Sequence, residues 1–448
     1  MTSNEPACAA RDGWPQARLT FWVLAALAIL CWRGPALADA FKTTFFRPRF
    51  FLPDFFQEWA SARNALDGYP VYTPHKISVK RLLNLPVDES DPYFIILKEN
   101  VHPPCAVLLG IPFGLLDFQD ALVAWNLASL VLFAASLWLI VRTLRLSVAV
   151  WQVLAGFCVL LVFYPLQDHI MHGQLDLVLL FLLTMAWRAD RRGQSAMAGV
   201  WTGAATAVKL FPGLLLLYFL VLRKWRALVW TILTGAALSL TAGVVLGFDS
   251  FPKYFLDVTP RTTEVRARWD NYSLPAISFK LFEQCDFPAT FAVGHIVLDS
   301  RLAWASAALC LTVFLAILGW LMYRIGTSGD TDRAFALTVS AMLLANPITW
   351  VHYFLLLTLP VFIVWPRLSS GRREILVFLL AIVAAPPWKL VEYALILLHG
   401  DPNSSGPWQT LTALSLPCYA QLGVFVLTAL ASADRSGVPR EPAREDSA

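Results

Sequence analysis

Two carboxylates, Asp54 and Glu58, stand one helical turn apart among aromatic residues in FFLPDFFQEW (50–59). Further along, YPLQDHIMHGQLD (164–176) gathers Gln167, Asp168, His169, His172, Gln174 and Asp176. VKLFPG (208–213) carries Lys209 shortly before a proline. RTTEVRARWDNYS (261–273) carries Arg261, Arg266, Arg268 and Asn271, and ANPITWVHY (345–353) carries Asn346, Trp350 and His352. Carboxylates and imidazoles are the side chains that exchange protons, and a lysine holds a phosphate as a point charge. Each group also has a plainer reading. Asp54 fits a solvated loop acid or a helix cap, and Glu58 an i+4 neighbour on an exposed helix face. His169 and His172 fit either a metal pair with Asp168 or polar residues at a loop tip. Lys209 fits a side chain snorkelling to headgroups, the three arginines fit residues facing anionic lipid, and His352 fits an interfacial histidine. The argument lies in their convergence.

The elements that must position them are membrane helices. The 448 residues are 57% hydrophobic and 15% charged, against about 25% charged in soluble domains. Apolar runs recur along the chain, and a helix needs roughly 20 such residues to cross a bilayer core. The expected class is an all-α polytopic integral membrane protein, because only helices satisfy their own backbone within lipid at this composition. A net charge of +4, scattered over loops, gives no reason to expect a nucleic-acid partner. The seven cysteines show no ligand spacing and read as small core residues.

Topology follows from loop charge. The candidate spans are 18–40, 121–141, 148–166, 174–187, 196–209, 211–222, 227–248, 302–323, 334–349, 351–366, 374–398 and 408–431. RTLR (142–145), RADRRG (188–193) and RKWR (223–226) are short and basic, which places them in the cytoplasm. Both RADRRG and RKWR stay inside only if 196–222 is a hairpin rather than one span. The same holds for 334–366, flanked by Arg324 and Arg333 and by Arg367, Arg372 and Arg373. About twelve spans result, with both termini cytoplasmic in a multi-pass cell-membrane protein. Residues 1–431 form one transmembrane domain, and 432–448 a disordered tail. Two long loops, 41–120 and 249–301, fall outside. In the first, PPCAVLLGIPFGLL (103–116) is too short to cross and reads as interfacial or re-entrant. Pro386–Pro387 should break the eleventh span. Arg33, directly after the first apolar run (19–32), is unusual, and ALADA (36–40) leaves a signal-peptide cleavage site open. On this map every polar group named above reaches the extracytoplasmic side, where ionisable residues at membrane depth are costly and usually functional.

In order along the chain, the motifs resemble the polyprenol-phosphate-sugar-dependent membrane glycosyltransferases of glycosyltransferase family 87, a branch of the GT-C superfamily. PDFFQEWASARNALDGYPVY (53–72), HPPCAVLLGIPFGLL (102–116), the stretch 172–227 with Gly-Gln, a basic turn, Ala-Gly and Lys-x-x-Pro, DNYSL (270–274) and NPITWVHYF (346–354) carry the likeness. His102 stands where an aromatic, usually Tyr, is expected, Asp176 where Asn is commoner, and 73–101 is long. The resemblance implies a GT-C fold and transfer of a hexose, expected to be mannose, from a polyprenyl phosphate to a hydroxyl of a glycolipid or glycan, with inversion. Asp54 matches the first-loop carboxylate of such enzymes and would be the general base. Lys209 with Arg261, Arg266 or Arg268 would stabilise the leaving phosphate. Gln174, Asn271, Asn346, Trp350, His102 and His352 would line the substrate site, with His352 also able to share the proton. Membrane lipids are the remaining partners. The inventory requires neither a metal nor another cofactor. A lipid-linked-sugar flippase or transporter is the alternative, since broken helices with polar tips mark that class too. A transferase of another GT-C branch would carry an added soluble domain or a longer acidic first loop.

Overall fold

The computed structural model describes residues 14–46, 52–87, 98–283, 300–397 and 407–432. The tail beyond 432, most of the turn 399–407, and parts of the stretches 73–101 and 249–301 lie outside them. Among the described residues the structure is helical, without strands. Five helices are long and apolar enough to cross a membrane: Gln16–Phe46, Phe118–Thr143, Trp225–Leu246, Arg301–Thr327 and Pro407–Leu430. Counting two bent pairs as spans gives up to seven.

The first helix, α1 (Trp14–Phe46), runs unbroken through Pro35 and the ALADA stretch. The first loop supplies α2 (Phe55–Leu66) and the short α3 (Pro104–Gly110). After α4 (Phe118–Thr143), α5 (Val150–Val162) and α6 (Tyr164–His172) meet at a 59° bend. Pro165 explains the bend: it cannot donate to the carbonyl of Leu161. Gln167 Nε2 takes that place, donating to Leu161 O at 2.8 Å.

The middle of the chain follows α7 (Asp176–Arg191), α8 (Ser195–Val208), the 3₁₀ turn Phe211–Leu214, α9 (Leu215–Val221) and α10 (Trp225–Leu246). Gly199 lies against Ala227, and Gly203 against Thr231, so α8 and α10 run in the same direction. A Cβ on Gly199 would sit 2.3 Å from the carbonyl oxygen of Ala227, and one on Gly203 2.5 Å from that of Thr231; only glycine permits this approach. The chain must turn back between two parallel helices, and 211–221 is that return. Lys224 Nζ then reaches Asp190 Oδ1 at 2.5 Å, closing the loop on the end of α7.

After the short α11 (Leu274–Phe282), a second return follows α12 (Arg301–Thr327). Helix α13 (Thr331–Ala345) leads away, and Val351–Leu357, α14 (Thr358–Val364) and Trp365–Arg367 lead back. Arg367 donates to Asp330 Oδ1 at 2.7 Å, which fixes both ends of the excursion together. Pro386 and Pro387 separate α15 (Ser370–Ala384) from α16 (Pro387–Leu397), which turns by 105°. The last helix, α17 (Leu416–Leu430), ends where Arg372 donates to Leu430 O at 2.6 Å. Arg191, Lys224, Arg333, Arg367 and Arg372 thus gather at one end of the bundle, and the polar motifs gather elsewhere.

Candidate active site

Phe55, fully buried, anchors the start of α2 by stacking on Trp125 (5.2 Å) and Phe118 (6.4 Å) of α4. Gly173, at φ +64°, ends α6 against the same residue, where a Cβ would lie 2.6 Å from that of Phe55. This contact sets His172 and Gln174 against Asp54. Asp54 occupies the N-cap position of α2 but makes no side-chain cap bond. Its Oδ2 instead accepts from Gln174 Nε2 at 2.6 Å and lies 3.6 Å from His172 Nδ1. The cap reading therefore gives way to a carboxylate turned toward other motifs. Burial alone would raise its pKa, but the imidazole of His172 first, then those of His352 and His102, outweigh burial and hold the carboxyl below its usual range.

From Asp54 a chain of alternating acidic and basic side chains continues. His172 Nε2 lies 3.7 Å from Asp168 Oδ1, which also accepts from the Tyr164 hydroxyl at 2.9 Å. Asp168 Oδ2 pairs with His352 Nδ1 at 2.9 Å, and His352 Nε2 lies 4.0 Å from Asp176 Oδ2. Asp176 Oδ1 is 3.6 Å from Lys209 Nζ, whose ammonium rests 4.3 Å over the ring of Tyr353. His169 Nδ1 is 3.6 Å from Asp176 Oδ2. His169 and His172 thus face different carboxylates rather than converging on one ion, and no metal-holding cluster of His, Cys, Asp or Glu occurs among the described residues.

Burial makes these spacings significant. Asp176 is fully buried, and Lys209 and His352 are each 5% exposed. Both Asp176 oxygens, Lys209 Nζ, His352 Nε2 and both His169 nitrogens lack a hydrogen bond. Leaving such atoms unsatisfied costs about 1–3 kcal/mol each. Four elements meet in a buried cluster of acidic and basic side chains that keeps unused donors and acceptors.

Glu58 corrects the sequence reading. It is buried, not on an exposed face, and its carboxylate is bonded to His102 Nδ1. His102 is held further by its own N–H donating to Asn100 Oδ1 (2.8 Å) and its carbonyl accepting from Tyr72 (2.8 Å).

The remaining candidates occupy the neighbouring turn. Asn271 is fully buried, donates to Arg266 O and Pro347 O at 3.1 and 2.9 Å, and accepts from Thr349 N at 3.0 Å. It clamps 266–273 to 347–349. Asn346 donates to Ile348 O within that turn. Arg268 forms a bidentate pair with Asp270 (2.9 and 2.7 Å) and lies 5.2 Å over Trp350. Arg261 is engaged by Glu99. Arg266 is buried against Glu283 at 2.9 Å and packs on the rings of Phe279 and Trp304.

So the structure gathers Asp54, Gln174, His352 and Lys209, and adds Asp168, His172 and Asp176 as the links. The signal for these links was visible: Asp168 and His172 are i,i+4 on α6. Nothing in the sequence showed which carboxylate each histidine would meet.

Helical membrane architecture and this site now meet the comparisons with known proteins. The family model of glycosyltransferase family 87 matches residues 100–347, more than half of the chain. The chain belongs to that family and is a glycosyltransferase, which sets the transporter reading aside. It is 26% identical over 386 residues to the polyprenol-phosphate-mannose-dependent alpha-(1-2)-phosphatidylinositol mannoside mannosyltransferase of Mycobacterium tuberculosis, covering 82% of each chain. It is also 26% identical over 395 residues to the enzyme of that name from Mycolicibacterium smegmatis, covering 83% of this chain and 82% of the relative. The pentamannoside mannosyltransferase of M. smegmatis is 25% identical over 60% of this chain and 62% of its own. No solved structure matches the chain significantly.

Proposed function

We propose that this glycosyltransferase moves a mannose from polyprenyl-phosphate-mannose to a hydroxyl of a glycolipid or glycan at the extracytoplasmic face, inverting the anomeric carbon. The donor is argued from the names of the relatives, as is the preference for a phosphoinositol-linked glycolipid acceptor. The basic end is assigned to the cytoplasm by loop charge, with about twelve passes and both termini inside. The two returning excursions support that count.

The observation that carries the mechanism is the Asp54 carboxylate, uncommitted to its own helix and kept ionised by the imidazoles around it. Asp54 takes the proton of the acceptor hydroxyl. The acceptor oxygen attacks the anomeric carbon from the face opposite the phosphate. The bond from that carbon to the phosphate oxygen breaks, and its electrons leave with the phosphate. Lys209, assisted by Arg268, offsets the charge that develops there. Gln174 orients Asp54, while Trp350, His352 and His102 line the sugar sites. Asn271 and Asn346 act through the turn they hold, and Arg261 and Arg266 through Glu99 and Glu283.

The test uses protein in lipid nanodiscs, radiolabelled polyprenyl-phosphate-mannose and a membrane-lipid extract as acceptor. Label should enter a new product with wild type and not with Asp54→Asn. Equal transfer by both would remove Asp54 as base.

A further inference from the structure

Arg33 takes no part in the cluster described above. It lies in α1, a helix whose span is almost wholly exposed on its surface. Arg18 of the same helix sits over the Trp151 ring, at the start of α5 (5.6 Å). Fifteen residues later, about 22 Å along the axis, Arg33 reaches α6. That is less than a hydrocarbon thickness of roughly 30 Å, so the guanidinium lies near the far edge of the apolar layer. Among the described residues its contacts are neutral: it donates to Gln167 Oε1 at 3.0 Å and lies 5.7 Å from the Trp32 ring. Among the described residues no carboxylate stands within ion-pair distance. A guanidinium has five N–H donors, and among the described residues one is used.

The partner is fixed by the local chain. Pro165 leaves the Leu161 carbonyl without its helical donor, Gln167 Nε2 fills the gap, and Oε1 is thereby turned toward α1. On the same short helix, Tyr164 places its ring edge-on to Trp388 of α16 (4.8 Å) and its hydroxyl on Asp168. Asp168 in turn faces His172, and His172 faces Asp54. Helix α6 thus carries both the partner of a cation on the exposed helix α1 and the side chains that lead to the carboxylate of the site. A ligand matching both ends has a phosphate in an apolar setting.

We propose that Arg33, oriented by Gln167, is the docking point for the phosphate of a polyprenyl phosphate entering from the lipid alongside α1. This rests on the reading that the donor is lipid-borne. The phosphate is received at Arg33 before it meets Lys209.

The test is binding of sugar-free polyprenyl phosphate to the full chain in neutral phosphatidylcholine nanodiscs, read by native mass spectrometry. Wild type should retain the lipid. Arg33→Gln should bind it about tenfold more weakly, Arg33→Lys should recover most of the binding because the charge remains, and Gln167→Leu should lose about threefold. Unchanged binding in Arg33→Gln, or none in wild type, would overturn the site. Competition by phosphatidylglycerol at equal concentration would make Arg33 a general headgroup anchor, and competition by inorganic phosphate a free-anion site; either result also overturns it. Retention of polyprenyl phosphate without mannose transfer by wild type would instead overturn the proposed reaction and leave the docking point standing.

Discussion

The two ends of the bundle both bury acids against cations, but at different distances. At the basic end, Asp190 accepts from Lys224 (2.5 and 2.6 Å) and from the Tyr218 hydroxyl (2.6 Å). Asp332 accepts from Trp187 (3.0 Å) and is bonded to Arg191. These direct bonds clasp the two returning segments to α7. At the site end, the links from Asp54 to His172, His172 to Asp168, Asp176 to Lys209 and Asp176 to His352 span 3.6 to 4.0 Å. Direct bonds occur here too, from Gln174 to Asp54 and from Tyr164 and His352 to Asp168, but Asp176 and Lys209 form none. The basic end spends its polar groups on direct bonds, and the site end leaves this buried pair with hydrogen-bonding capacity.

Substitutions at the two ends should therefore separate activity from stability. Asp54→Asn is expected to have the largest effect, a loss of transfer of roughly 10²–10⁴-fold, with the thermal unfolding midpoint close to wild type. Asp332→Ala should do the reverse. It leaves Arg191 and Arg367 without their buried carboxylate and should cost about 3–5 kcal/mol, read as a lowered unfolding midpoint, with transfer per folded molecule retained. A normal midpoint in Asp332→Ala would remove the distinction between the ends. Lys209→Ala should weaken donor binding and turnover together, by roughly tenfold or more, on the scale of a lost charge-assisted contact; donor titrations with the labelled lipid would show it.

The smallest effect should appear only in the pH profile. On the proposed mechanism Asp54 works when ionised, so transfer should fall as pH drops through its pKa. His172 lowers that pKa. His172→Gln removes the lowering, so the acid limb should move to higher pH. His172→Lys keeps a cation there and should leave the limb near wild type. A uniform loss in both variants, with no movement of the limb, would give His172 a purely packing role.

Much of this was legible along the chain. The helical class follows from composition. The break at Pro386–Pro387 follows from the missing N–H of proline; the bend at Pro165 has the same cause but fell inside the span read as 148–166. Asp54 and Lys209 stood out because charge near an apolar run is costly. Glu58 was misread because an i+4 pair of acids does not show which face of α2 is covered; α3 and His102 decide that. The arginines of 261–268 were taken together, yet Glu99, Glu283 and Asp270, from separate positions, engage them one by one.

The sequence by itself determined local matters: where helices form, where they break, and which loops are basic. These depend on hydrophobicity, backbone chemistry and charge within a few residues. Only the tertiary structure decided partners. Asp54 meets Gln174 across 120 positions, and His352 meets Asp168 across 184. Such pairings arise when glycine contacts and aromatic stacking bring whole helices into register. A single sequence read residue by residue carries no measure of that register.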